Sequence, residues 1–153
     1  MTTLSAPRPR SEETAGDRKL WIAILVLSVI GIGIAGYLTY VHYQGIKVVC
    51  GLGGDCATVQ ASRYSKLDGI PVAVLGLVGY IGILGSLAVR GELGRVAAFA
   101  IALIGCGFSL YLTYRELFTI KAICPWCVSS AVLMSVLAVL TAVRALRYQP
   151  PPV

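Results

Sequence analysis

"AICPWCVSSAVLMSVLAVLTAV", residues 122–143, sets a Cys-Pro-Trp-Cys motif at the mouth of 22 residues free of Asp, Glu, Lys and Arg. At 1.5 Å per residue such a run crosses about 30 Å of hydrocarbon as a helix. Three further uncharged runs precede it: Leu20–Ile46 (27 residues), Gly69–Val89 (21) and Val96–Tyr114 (19). Hydrophobic residues make up 57% of the 153-residue chain and charged residues only 13%, against about a quarter charged in a soluble domain. Lipid offers backbone N–H and C=O groups no partners, so the spans must be helical. The reading is an all-α membrane protein with one domain over residues 18–147 and spans near 20–43, 70–89, 96–115 and 125–146.

The first run follows Arg18 and Lys19, as a signal peptide does, but exceeds a 7–15-residue apolar region and reads as an uncleaved span. Residues 1–17, with Pro7, Pro9 and Gly16, and residues 148–153, which end in "QPPPV", are expected to be tails, with residues 1–17 and the "QPPPV" disordered. The net charge of +6 does not indicate nucleic acid, because Lys and Arg gather at span ends. Eight of them (Arg8, Arg10, Arg18, Lys19, Arg90, Arg95, Arg144 and Arg147) share one side, and Lys47, Arg63, Lys66, Arg115 and Lys121 the other. The positive-inside bias then places both termini in the cytoplasm.

That topology carries Cys50, Cys56, Cys124 and Cys127 to the extracytoplasmic face, where disulfides persist in a bacterial-type envelope. Cys106, inside the third span, reads as a small hydrophobe. An internal echo relates the two cysteine-bearing regions. "GIAGYLTYV" from Gly33 recurs as "GFSLYLTYR" from Gly107, and both the Tyr-Leu-Thr-Tyr copies and the pair Cys50, Cys124 are 74 residues apart. Interfacial aromatic belts explain the tyrosines but not the matched cysteine spacing.

With Pro125 as first helical residue, Cys124 is the cap of span four and Cys127 lies in its first turn. Unpaired N–H groups and the helix dipole there favour thiolate. The loop "CGLGGDCATVQASRYSKLDGIP" holds the second pair, and its glycines would let Cys56 bond Cys50 or swing toward Cys124 for thiol–disulfide exchange. Four cysteines allow three pairings, and spacing alone leaves them open. A Cys₄ zinc site is disfavoured by the unequal spacings, two residues in one pair and five in the other, and no metal is expected. Asp55 reads as a solvated loop charge, and His42 and Trp126 as interfacial side chains. Gly76, Gly79, Gly82 and Gly85 allow close helix packing or room for a flat ring.

Together the Cys50…Cys56 loop, Ser62 six residues later, "YLTYRELFTIKAICPWC" and the four-span hydropathy resemble the bacterial vitamin K epoxide reductase family over residues 18–147. The resemblance implies a four-helix bundle around a quinone, capped at its outer end by a half-helix within Ala57–Leu67. It implies a plasma-membrane thiol:quinone oxidoreductase that reoxidises a thioredoxin-fold protein of the DsbA type and so supports disulfide formation. Cys50 and Cys56 would take the partner's electrons, Cys56 would attack Cys124, and Cys127 would reduce a membrane quinone, menaquinone or ubiquinone, near Ser62. Many bacterial members carry a fused thioredoxin-like domain; none follows Arg147 here, so the partner is expected to be a separate protein. Vertebrate members have a quinone-side tyrosine where this chain has Ala131, so the resemblance implies that Ala131 lies at the quinone with Ser62 and Cys127, and the missing hydroxyl favours plain quinone reduction over epoxide reduction. The alternatives are a quinone or quinone-epoxide reductase of a quinone cycle, and a non-catalytic tetraspan with structural disulfides.

Overall fold

The computed structural model describes residues 10–51 and 53–148. The expected tail segments 1–9 and 149–153 lie outside the described residues. Four long helices dominate: α1 (Arg10–Gln44), α3 (Val72–Ala88), α4 (Glu92–Arg115) and α5 (Pro125–Leu146). A short α2 (Cys56–Ala61) and a 3₁₀ turn (Arg63–Ser65) stand between α1 and α3. Among the described residues three segments are long and apolar enough to cross a membrane: 15–44, 92–120 and 125–146. The 17-residue α3 is apolar but reaches only about 25 Å.

Why α3 falls short of the expected 70–89 is a matter of turn chemistry. Lys66–Leu67 (β1) and Ile70–Pro71 (β2) pair antiparallel across Asp68 and Gly69, which take φ of 51° and 87°. An Asp-Gly pair at positive φ is the preferred two-residue hairpin turn. The hairpin claims Ile70 and Pro71, so α3 opens at Val72. Hydropathy is blind to this because Ile70 and Pro71 are themselves uncharged.

At the other end α1 begins at Arg10 and not near residue 20, so the helix runs into the stretch expected to be a disordered tail. Asp17 is tied down there: its carboxylate pairs with Arg95 at 2.9 Å and with Arg144 at 3.4 Å. The helix therefore continues where two other helices supply cations to its acid. Packing is of α1 and α5 against α3 and α4, with Ile24, Tyr80, Ile83, Ala102 and Leu137 at the centre. Gly31 leaves the space that the ring of the fully buried Tyr80 fills, which draws α1 and α3 together. Cys106 stays a free thiol, 3.5 Å from the Ser135 hydroxyl, as a small side chain between α4 and α5.

Candidate redox site

Cys124 occupies the cap of α5 and Pro125 its first turn, so the helix start falls where the motif places it. Cys50 and Cys56 form a disulfide across a Cα separation of 5.9 Å, and the Cys56 N–H donates to the Cys50 sulfur. Cys56 (1% exposed) and Cys124 (0%) pack in one buried cluster with Val59 and Ala122, and Cys50 and Cys127 lie against it. Residues more than sixty apart in sequence thus meet in one sulfur-rich patch.

Several contacts dock the loop there. Asp55 N–H donates to the Ile123 carbonyl at 3.1 Å. Gly54 touches the motif so closely that a Cβ on it would lie 2.5 Å from Pro125 Cδ and 2.9 Å from the Ile123 carbonyl oxygen. The Trp126 indole donates to the Val49 carbonyl at 3.0 Å and packs on Tyr37, ring centroids 5.2 Å apart. Trp126 therefore grips the chain one residue before Cys50, a role that its reading as an interfacial anchor omits. Asp55 caps α2: its carboxylate accepts the Thr58 hydroxyl and amide, which hold it below the usual carboxylate range. It is a helix cap and not merely a solvated charge.

The Cys127 thiol first, and then the N–H groups of Cys127 and Trp126, hold the Cys124 thiol below its ordinary range, against burial and the nearby Glu116 carboxylate. The neighbouring thiol contributes most, and the first-turn N–H groups act in the same sense.

Beneath the cysteines opens a cavity of about 490 Å³, in the range of small-molecule sites. Its walls are mainly apolar, with Leu38, Val72, Ile101, Phe108 and Leu112 among them, and Cys127, Ser62, Ser130 and Glu116 supply polar atoms. Gly76 and Gly79 lie in its wall, while Gly82 sits against Ile101 and Gly85 faces open space. The glycine row thus divides among cavity wall, helix packing and open surface. Ser62 ends α2, its hydroxyl donating to the Val59 carbonyl at 2.7 Å.

Ala131 does not line the cavity, contrary to the expectation that it would. Cys127, Ser130 and Met134 do, sharing one face of α5, and the 100° step per residue turns Ala131 aside from Ser130. Ser130 is held in place by Tyr80, whose hydroxyl lies 2.9 Å from the Ser130 hydroxyl and 3.0 Å from its carbonyl.

Glu116 was missed as a site residue. It follows Arg115 at the end of an apolar run and reads as the charged end of a span. In the structure it is 4% exposed, lines the cavity, and accepts the Cys124 N–H at 3.2 Å. Its main-chain carbonyl accepts the amides of Lys121 and Ala122, closing a wide turn over Glu116–Ile120 that steers the chain into the motif. The available signal was its position: an acid between an apolar run and a dithiol is a functional candidate by default.

A disulfide stacked on a dithiol, at one end of helices of membrane-crossing length and above an apolar cavity, defines a membrane thiol–disulfide redox protein. The chain belongs to the vitamin K epoxide reductase family, whose family model matches residues 22–142. That family consists of membrane-integral oxidoreductases working between thiols and quinones.

Proposed function

We propose that this protein oxidises a separate thioredoxin-fold protein of the DsbA type and delivers the electrons to a membrane quinone. The observation that carries the reading is the contiguity of Cys50, Cys56, Cys124 and Cys127 with a cavity that Cys127 lines. α3 would complete a four-span bundle, both termini would be cytoplasmic, and the cysteines would face the extracytoplasmic side. The cavity suits a quinone head: it is mainly apolar, glycine-walled on one side and carries a few polar atoms near a thiol.

The partner's dithiol would reduce the Cys50–Cys56 disulfide and leave as a disulfide. The Cys56 thiolate would then attack Cys124 of a Cys124–Cys127 disulfide, releasing Cys127, and Cys50 would resolve the mixed bond by attacking Cys56. The outcome would be a closed Cys50–Cys56 bridge and two inner thiols. A quinone supplies the sink, accepting two electrons and two protons. Cys124 and Cys127 would close to a disulfide as they give these up, with Ser62 and Ser130 as polar contacts at the cavity wall. A donor of the DsbA type lies near −120 mV, so the acceptor must be at least as oxidising, as a quinone is.

The test mixes purified protein with a reduced DsbA-type donor and menaquinone or ubiquinone and follows quinone absorbance. Donor-dependent quinone loss that vanishes in Cys127→Ala supports the reading. No loss with either quinone, together with outer disulfides that survive mild reductant, would leave a structural tetraspan in its place.

A further inference from the structure

We propose that Glu116 is the proton-transfer group between the Cys127 thiol and the electron acceptor in the cavity, an inference resting on the reading above. The geometry that carries it is the meeting of three features in one carboxyl group. Glu116 is 4% exposed; its side chain is anchored by the Cys124 N–H at 3.2 Å; and it lines the same cavity as Cys127. The carboxyl group thus sits on the amide of one cysteine of the dithiol and shares the cavity wall with the thiol of the other.

Among the described residues no cation pairs with it. Its neighbour Arg115 lies over the rings of Tyr64 and Tyr111, 5.0 and 5.3 Å from their centroids, and Lys121 is exposed. A buried carboxyl without a cation is costly if its only task is to accept one amide hydrogen, which an uncharged amide could do equally well. A group fixed in place that can take and return a proton is what oxidation of a thiol in an apolar wall lacks.

The step balances as follows. Closing Cys124 and Cys127 to a disulfide breaks two S–H bonds, forms one S–S bond and releases two electrons and two protons. Both electrons pass to the quinone acceptor. Glu116 takes the proton from Cys127 Sγ and hands it to one acceptor oxygen, ending again as carboxylate. The proton of Cys124 passes to water, and the other acceptor oxygen takes one from water, so the acceptor leaves as quinol.

Glu116→Gln keeps an oxygen for the Cys124 N–H and removes the proton carrier. With enzyme reduced in advance, a single turnover of menaquinone should slow about 100-fold, the lower end of general acid–base effects. Reduction of Cys50–Cys56 by the donor should be unchanged, and Glu116→Asp should recover part of the rate. Infrared difference spectra between dithiol and disulfide forms, taken without quinone on protein labelled with ¹³C-glutamate, should show a carboxyl band that Glu116→Gln abolishes. Wild-type turnover in Glu116→Gln would overturn the proposal, as would absence of any redox-linked carboxyl band in the wild type. Should wild type itself reduce no quinone, the oxidase reading falls and the proposal with it.

Discussion

Two hollows among the described residues are of similar size, about 490 Å³ each, with opposite linings. The one at the cysteine end is bounded by apolar side chains, glycines and a thiol. The one at the arginine end is bounded by Arg90, Arg95 and Arg144 with Trp21 and Leu87. Near it Asp17 bridges Arg95 and Arg144, and Arg95 also lies 4.8 Å from the centre of the Tyr148 ring. Volume therefore does not distinguish a site from a seam. At one end polar groups are few and converge on sulfur; at the other, charges pair and tie three helices together.

If that contrast is right, substitutions at the cysteine end change chemistry and those at the arginine end change only stability. The largest effect is expected from Cys56→Ala, which removes the only sulfur of the loop pair buried in the cluster with Cys124. Donor-driven quinol formation should be abolished, while enzyme reduced in advance by a small dithiol should still reduce quinone in a single turnover. Loss of both activities would show that the two pairs are not successive stations.

Gly54→Val tests the docking of the loop. Its side chain must push on Pro125 and the Ile123 carbonyl, a distortion of about 1–3 kcal/mol by analogy with overpacked cores. The Cys56–Cys124 exchange should slow, while reduction of Cys50–Cys56 by the donor continues. Equal slowing of both steps would place the defect in global stability.

Cys127→Ala sharpens the electrostatics. The thiol hydrogen of Cys127 is the leading cause of the low Cys124 value, so its removal should shift the pH profile of Cys124 alkylation upward, toward the ordinary thiol value of about 8.5. The sign follows because the favoured form is the thiolate, and losing a donor to it makes deprotonation harder. An unmoved profile would assign the effect to the helix start alone.

The smallest effect is expected from Asp17→Asn at the arginine end. The pair is partly exposed, with side-chain accessibilities of 18% for Arg95 and 34% for Asp17, so the cost should be a few tenths to about 1 kcal/mol. Thermal stability should fall slightly with turnover unchanged. A fall in turnover at full stability would break the distinction between the two ends.

Much of this was legible along the chain. The uncharged runs marked the long helices, and Pro125 after Cys124 marked the start of α5 to the residue. Local chemistry explains why: a proline at the first helical position and an apolar run act through neighbours a few residues away. The Asp68–Gly69 hairpin was equally local but was overshadowed by hydropathy. The echo of Tyr37–Tyr40 in Tyr111–Tyr114 was visible too, yet the copies differ in use: Tyr37 packs on Trp126, whereas Tyr111 and Tyr114 stack on Phe108 and Phe118.

By itself the sequence determined that apolar helices must carry a dithiol at one helix mouth, because composition, helical rise and cap preferences are properties of contiguous residues. Only the tertiary structure decided that Cys56 packs with Cys124, that Ser130 and not Ala131 faces the cavity, and that Glu116 lies buried on the Cys124 amide in the wall that Cys127 shares. Each of these depends on the angle at which one helix presents a face to another and on where a loop folds back. No run of neighbouring residues contains that information; close packing across the chain supplies it.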